Sequence, residues 1–488
     1  MSNIADVLYF STEKLFVSHN AFSENPQRKM KNLPQKFSLL LALLAFALPT
    51  AAVAQSRAPL FQDIPVGQPS PTPLLQKTGS SGPSGASIAA ARNPVRTMFP
   101  ALQNVEIPGD SGVLIEDLNG KTVIESHADV PYNPASNVKI ATAYAVLKTF
   151  GPEFRFATNI YTDGTVDTTA GTLTGNIYVS GKDPMFANQH AVAIANELNR
   201  LGIRTVTGNL YVTDNFSINY SSSPVMSAQA LFNDLDMTKR VPSATKAWLD
   251  YLAYSGNQAQ GTPSVTFTGS AFVSGVPSSL KLLFTHESAP MKEILKATLC
   301  FSNNFLAEKL GDMLGGPYAV ARLVQLNALI APAEFSIQTS SGLGINRVTP
   351  DAEMKLLRAL RSDLGRYNMT FMDIFPVAGV DQGTLEERFD ADWARGSVVG
   401  KTGTLGHTDG GASALAGEMN TRNGRILFVI FNMHAGVGRS RGFQNMLVPL
   451  VQAQFGGAAP LNYQGGSIEA RLARSRISYP NGRNRGGE

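Results

Sequence analysis

Apolar positions fall into two rhythms along this chain. Val113-Leu114-Ile115 and Thr122-Val123-Ile124 flank Asn119-Gly120. Asn-Gly between short apolar runs predicts a hairpin, because both turn positions need positive φ. A polar loop follows through Pro131, Asn133 and Pro134, and then Ile140, Ala143, Tyr144, Val146 and Leu147 recur at helical spacing. Ser136 therefore stands at a helix start. From about residue 155 to 285 the texture changes to Thr, Gly, Val and Tyr, with a near-repeat at 174–179 (Thr-Gly-Asn-Ile-Tyr-Val) and 207–212 (Thr-Gly-Asn-Leu-Tyr-Val). Residues 191–201 between the copies have a helical pattern, so a strand-helix-strand unit is expected; two copies are too few for a solenoid. Helical pattern returns at 291–299 and 305–314. Residues 398–405, 412–418 and 426–432 read as three consecutive strands, with a final helix over 444–454. Strands at both ends with helices between predict an α/β domain interrupted by an insertion.

The N-terminal region reads differently. Lys31 and Lys36 precede an apolar run at 37–48, and Ala52-Val53-Ala54 supplies a small-x-small cleavage site. Residues 30–54 are expected to be a secretory signal, since the run is too short to favour a membrane span. Residues 1–29 then form an upstream extension, and 55–96, rich in Pro, Ser and Gly, a flexible leader. The expected organisation is a catalytic domain over 97–154 and 286–456, an inserted domain over 155–285, and a flexible basic tail over 457–488. No transmembrane anchor is expected in the mature chain, and a periplasmic location is expected.

Composition narrows the chemistry. With 488 residues, 43% hydrophobic and 16% charged, the chain is globular rather than disordered. The formal charge is +4, and Arg471, Arg474, Arg476, Arg483 and Arg485 all lie near the end. The body is therefore close to neutral, which argues against a nucleic-acid partner. A single cysteine, Cys300 between Leu299 and Phe301, excludes an internal disulfide and reads as a buried thiol. The six histidines show no zinc spacing, so neither metal nor cofactor is implied.

Three short motifs carry the candidate chemistry, in this order: Ser136-Asn137-Val138-Lys139, Ser302-Asn303-Asn304 and Lys401-Thr402-Gly403. Together they supply a nucleophile, a base one helical turn away, a proton relay and a cation for a substrate carboxylate, without a histidine. Residues three apart share a helix face, and a serine at a helix start has backbone N–H groups and the positive dipole end beside a developing oxyanion. Lys139 must be neutral to accept a proton. A free lysine titrates near 10.4, and bringing it to the 7–8 range of a useful base costs roughly 4 kcal/mol; desolvation and the second cation Lys401 are the means available.

Single motifs recur by chance, so rivals need weighing. Ser243 and Lys246 repeat the Ser-x-x-Lys spacing, but inside the differently textured region and without a preceding hairpin. Gly438-Arg439-Ser440-Arg441-Gly442 fits a nucleophile elbow, yet no histidine follows it. Gly400-Lys401-Thr402 resembles a phosphate loop, but Gly396 is one residue too close. Glu197-Leu198-Asn199 is similar to the deacylating motif of class A β-lactamases but precedes Ser302 instead of following it.

On these motifs the chain resembles the penicillin-recognising serine acyl-transferases, and more closely the class C low-molecular-mass penicillin-binding proteins of the D-alanyl-D-alanine carboxypeptidase/endopeptidase family. The resemblance runs from about 97 to 456. It also includes the Gly-Asn-Ile-Tyr-Val-Ser-Gly-Lys-Asp-Pro run at 175–184, the Ser341–Pro350 run, 376–380 (Pro-Val-Ala-Gly-Val) and Gly383-Thr384-Leu385. Two features depart from the family: the segment between Ser136 and Ser302 is shorter than usual, and Asn303 stands where Asp is common. The resemblance implies a transpeptidase/β-lactamase-like fold, an antiparallel sheet flanked by helices. Ser136 would attack the D-Ala-D-Ala carbonyl, Lys139 take its proton, Ser302 relay a proton to the leaving amine, and Asn304 hold Lys139 and the substrate amide. Lys401, Thr402 and Thr404 would receive the terminal carboxylate along the Gly403 strand, with backbone N–H groups of Ser136 and Thr404 as the oxyanion hole. Peptidoglycan peptides are the implied substrates and β-lactam antibiotics the implied inhibitors. A β-lactamase or esterase on the same scaffold needs fast deacylation, for which no glutamate is suitably placed; a non-catalytic wall-binding protein has no need of Lys139.

Overall fold

A computed structural model describes residues 93–256 and 261–480, all within the compact unit Asp63–Glu488. The expectations for 1–29, 30–54, the leader up to 92 and the tail from 481 lie outside the described residues.

The chain opens with strand β1 (Arg96–Thr97) and the hairpin β2 (Asp110–Asp117) and β3 (Thr122–Ser126), followed by helix α1 (Val138–Phe150). Then come β4 (Ala157–Thr162), β5 (Thr165–Asp167), β6 (Thr172–Thr174), β7 (Ile177–Gly181), α2 (Asn188–Arg200), β8 (Thr205–Val206) and β9 (Leu210–Val212). Helices α3 (Pro224–Leu235) and α4 (Pro242–Ser255) lead to β10 (Thr266–Phe267), β11 (Ala271–Val273) and β12 (Lys281–Glu287). A helical stretch follows: α5 (Met291–Cys300), α6 (Asn304–Asp312) and α7 (Pro317–Asn327), then β13 (Phe335–Ser336), β14 (Arg347–Val348) and α8 (Pro350–Arg366). The chain closes with β15 (Val398–Leu405), β16 (Ala412–Thr421), β17 (Gly424–Met433), α9 (Val437–Gln454), α10 (Ile468–Leu472) and β18 (Arg476–Ser478).

The first and last segments build one sheet, in the order β1-β3-β2-β17-β16-β15, and every pairing in it is antiparallel. Gly120 takes φ +86 in the β2–β3 turn, as the Asn-Gly signal requires. Side chains alternate across a strand, so Val113, Ile115, Phe428 and Ile430 share a face and pack against Leu447, Val448 and Val451 of α9. Glu116, pointing the other way, accepts from Arg358 of α8 at 2.6 Å. The result is an α/β domain with helices on both faces of an antiparallel sheet.

Residues 157–287, joined by β18 from the C-terminal segment, build two further sheets. One runs β11-β9-β7-β4-β12-β18 and a smaller one β10-β8-β6-β5. The two repeat copies lie side by side and parallel, with Ile177 opposite Leu210 and Tyr178 opposite Tyr211. A third copy escaped detection in the sequence: Thr268-Gly269-Ser270-Ala271-Phe272-Val273 pairs with β9 in the same register. Ser, Ala and Phe replace Asn, Ile/Leu and Tyr, which hides it from identity matching, yet Tyr178, Tyr211 and Phe272 stack in one row at 4.9 and 5.7 Å.

Two expectations need correction. The last long helix begins at Val437 rather than near 444. The basic segment from 457 is ordered as far as residue 480: Arg471 and Arg474 donate to the buried Glu293 at 3.0 and 2.7 Å, Arg476 to Glu287 at 2.8 Å, and β18 pairs with β12. Composition made this stretch look solvated because its carboxylate partners lie far back in the chain.

Candidate active site

Ser136 lies in a 3-10 turn, Ala135–Asn137, that runs directly into α1. The turn is held from several sides. Asn133 accepts from Ala135 N at 3.1 Å and donates to Gly344 O at 2.9 Å and Asp409 Oδ2 at 3.1 Å. A Cβ on Gly342 (φ +91) would lie 2.0 Å from the Ala135 carbonyl oxygen, and one on Gly403 would lie 2.5 Å from that of Pro134. Glycines thus let both the 341–346 loop and strand β15 approach the backbone next to Ser136.

The three motifs meet here. Lys139, one turn on from Ser136 at the start of α1 and 1% exposed, has its Nζ 2.9 Å from Ser136 Oγ, 2.6 Å from Asn304 Oδ1 and 2.7 Å from Ser341 O. Asn304 and the Ser341 carbonyl can only accept at those atoms, whereas the Ser136 hydroxyl can either accept or donate. The same contacts therefore suit an ammonium giving three N–H bonds and a neutral amine giving two and accepting the serine proton. Lys401, fully buried on β15, donates to Ser302 Oγ and Thr402 O, both at 2.7 Å. Ser302 takes φ +54 in the turn between α5 and α6, a conformation costly for a side chain other than glycine and typical of functional turns. Asn303 then caps α6, accepting from Leu306 N at 3.0 Å. Asn and Asp are equally good N-caps, which accounts for Asn at this position. Cys300, two residues before Ser302, is buried, and burial pushes its thiol up to about 12, so it is inert.

Strand β15 is an edge of its sheet. Pro376 accepts from Gly400 N at 3.2 Å on that open side. N–H groups two residues apart along a strand point the same way, so those of Thr402 and Thr404 also face the edge, beside the Ser136 turn.

Part of the frame was not foreseen. Ser341 takes part through its backbone carbonyl, a role that residue identity cannot signal; Thr142 and Glu308 fix that loop, the first donating to Ser340 O at 2.6 Å and the second accepting from Ser341 N at 2.8 Å. Arg347 grips Asp409 through both carboxylate oxygens. Burial alone would raise the Asp409 pKa, but hydrogen bonds from Arg347 and Asn133 outweigh it and keep the carboxyl below its usual range.

The rivals are placed apart from this cluster. Lys246 is exposed and pairs with Asp250. Ser440 lies in the first turn of α9 and donates to Gly436 O at 2.9 Å. Glu197 pairs with Arg200 at 2.9 Å.

A family model described as the D-Ala-D-Ala carboxypeptidase 3 (S13) family matches residues 100–246 and 250–452. The chain belongs to this family. It is an enzyme of the D-Ala-D-Ala carboxypeptidase class. A D-alanyl-D-alanine carboxypeptidase from an Actinomadura species is 25% identical over 457 residues, covering 72% of this chain and 83% of that protein. Carboxypeptidase DacB of Mycolicibacterium smegmatis is 25% identical over 413 residues, covering 75% and 86%. Among solved structures, a predatory endopeptidase from Bdellovibrio bacteriovorus acylated by penicillin G has a TM-score of 0.64 at 22% identity, covering 73% of this chain and 96% of that one. Penicillin-binding protein 4 from Haemophilus influenzae has a TM-score of 0.52 at 20% identity, covering 74% and 99%. At these identities the two structures speak for the fold of this S13 chain. No helix among its described residues is long and apolar enough to cross a membrane.

Proposed function

We propose that the chain is an exported serine D-Ala-D-Ala carboxypeptidase or DD-endopeptidase that works through an acyl-enzyme on Ser136. Supporting it most directly is the Lys139 amine, which lies within hydrogen-bond reach of both Ser136 Oγ and Asn304 Oδ1. Ser136 Oγ attacks the carbonyl of the penultimate D-Ala while its proton passes to Lys139. Backbone N–H groups of Ser136 and Thr404 receive the oxyanion, each such donor contributing about 3–4 kcal/mol. Lys401 keeps Ser302 poised to pass a proton to the leaving amine, and its charge, with the Thr402 and Thr404 hydroxyls across the Gly403 backbone, draws the terminal carboxylate. Water then releases the acyl group. In this reading residues 97–154 and 286–456 form the catalytic domain and 155–285 an inserted one. The signal at 30–54 delivers the chain to the periplasm, where peptidoglycan peptides are the substrate and β-lactams imitate them.

Intact-mass measurement after mixing with a penicillin, followed by peptide mapping, tests the assignment. A stable adduct on Ser136 is expected, and Ser136→Ala is expected to lose both adduct and D-alanine release. An adduct on Ser243, or D-alanine release by the alanine variant, would overturn it. Muropeptide chromatography then separates carboxypeptidase from endopeptidase products.

A further inference from the structure

The sheet face beneath the start of α9 contains a row of polar side chains in an otherwise apolar layer. Thr404 of β15 stands opposite Ser413 of β16, Ser413 opposite Asn432 of β17, and Asn432 opposite Ser111 of β2. Cross-strand partners share a face, so the four form one line across the sheet. Ser111, Ser413 and Asn432 are 2% exposed or less. Each is tied in: Asn432 Nδ2 donates to Ser111 Oγ at 2.8 Å, Ser111 Oγ to Pro108 O, and Gln444 Nε2 of α9 to Asn432 Oδ1 at 3.0 Å and Ser413 Oγ at 3.2 Å. Arg388 in turn donates to Gln444 Oε1 at 3.1 Å. Buried amides and hydroxyls in an apolar layer are costly unless satisfied, and once satisfied they fix a unique placement. Here they fix the register of α9 on the sheet.

That register places Arg441, one turn before Gln444, over the end of the row, where its Nη2 donates to Thr404 Oγ1 at 3.2 Å. A hydroxyl that accepts from a guanidinium has its own proton turned elsewhere and becomes a stronger donor. We propose that Arg441 is a positioning residue for the substrate's terminal carboxylate: by donating to Thr404 Oγ1 it turns the Thr404 hydroxyl proton toward that carboxylate. The inference rests on the acyl-enzyme reading of the site and adds a determinant outside the three motifs.

The expected signature is selectivity for the free acid. With a penicillin and with its methyl ester as probes, the second-order rate of Ser136 acylation is measured for wild type, Arg441→Gln and Arg441→Lys. Charge-assisted hydrogen bonds are among the stronger ones, so Arg441→Gln is expected to slow acylation by the free acid about tenfold or more and to leave the ester within about twofold, with partial recovery in Arg441→Lys. Unchanged ester acylation also shows that the variant is folded. In a Thr404→Val background the same substitution should have little further effect, because the two residues act as a pair. Equal losses for acid and ester, no loss for either, or full additivity with Thr404→Val would overturn the inference. Wild-type protein acylated by neither probe would sink the acyl-enzyme reading itself, and this inference with it.

Discussion

Around Ser136, Lys139, Lys401 and the nearby Lys296 are each 1% exposed or less, and each donates to two or three named acceptors. Between β4 and β12 several buried ionisable groups are treated in the opposite way. Asp183 Oδ2, Asp234 Oδ2 and both ring nitrogens of His286 have no hydrogen-bond partner. Burial pushes Asp183 and Asp234 up to about 7 and His286 down to about 4, and it drives His190 well below its ordinary value, helped by His286 beside it. These groups are kept neutral by apolar surroundings rather than ionised by partners. Glu353 on α8 behaves like them although it packs on the sheet that holds the candidate site: neither carboxylate oxygen has a partner, and burial raises its pKa to about 8. The difference teaches where this chain tolerates buried charge. Around Ser136 it does so by bracing lysines with carbonyls, hydroxyls and a carboxylate, and there the bracing also fixes the geometry of the candidate site.

Lys296 is the sharpest place to break that contrast. It donates to Met372 O, Phe375 O and Asp381 Oδ2 at 2.6–2.8 Å, and Asp381 also accepts from Val377 N and Tyr463. Val377 pairs with Val399, two residues before Lys401, so the pair anchors the segment that lies along β15. Lys296→Met leaves a buried carboxylate without its cation, and removal of one partner of a buried pair typically costs about 3–5 kcal/mol. The urea midpoint should fall accordingly, and acylation of Ser136 should slow as β15 loosens. Replacing both partners with apolar residues should recover much of the loss. A single variant as stable as wild type would mean that the pair braces nothing.

Lys296 also marks the limit of what was legible in the sequence. The strands and helices that place Ser136, Ser302 and Lys401 were readable because their apolar periodicities are local. The three motifs that the fold brings together stood out through their order and context. Lys296, Asp381 and the Ser341 carbonyl were not readable, since their roles depend on contacts 85 and 202 residues apart. The ordering of Arg471 and Arg474 on Glu293 was hidden for the same reason. Arg441 appeared only within a rejected nucleophile elbow, and its contact with Thr404 depends on how α9 lies across the sheet.

The repeat region offers the opposite experiment, in which stability should change with pH. An unfolded Asp titrates near 3.9, and Asp183 in the fold near 7. Below about pH 4 both forms are protonated and nothing is lost. As pH rises toward 7 the unfolded chain ionises while the folded one cannot, so this group lowers stability by an amount on the order of 2–4 kcal/mol. Asp183→Asn keeps the acceptor for Met185 N and removes the titration. Its stability advantage over wild type should therefore grow from pH 4 to pH 7.5 in paired urea titrations. His286 acts in the other direction: its lowered pKa makes stability fall as pH drops from about 6.5 toward 4, so the comparison must be made between variant and wild type at each pH. A constant difference across the range would show that Asp183 stays ionised, and the contrast between the two regions would fail.

The smallest effect concerns the middle residue of Ser302-Asn303-Asn304. Asn303 contributes an oxygen to Leu306 N at the start of α6, and its own N–H donates to Thr298 O at 3.0 Å. It thereby joins two helices across the turn that gives Ser302 its positive φ. Asn303→Ala removes the cap and should cost about 1 kcal/mol, whereas Asn303→Asp keeps the acceptor and places an anion at the positive end of the helix dipole, so its stability should equal or slightly exceed that of wild type. The same ordering is expected for acylation of Ser136, because the cap fixes both Ser302 on one side and Asn304 on the other. If Asn303→Asp lowered acylation while leaving stability intact, the new charge would be acting on Lys139 or Lys401, and the residue would belong to the electrostatics of the site rather than to its framework.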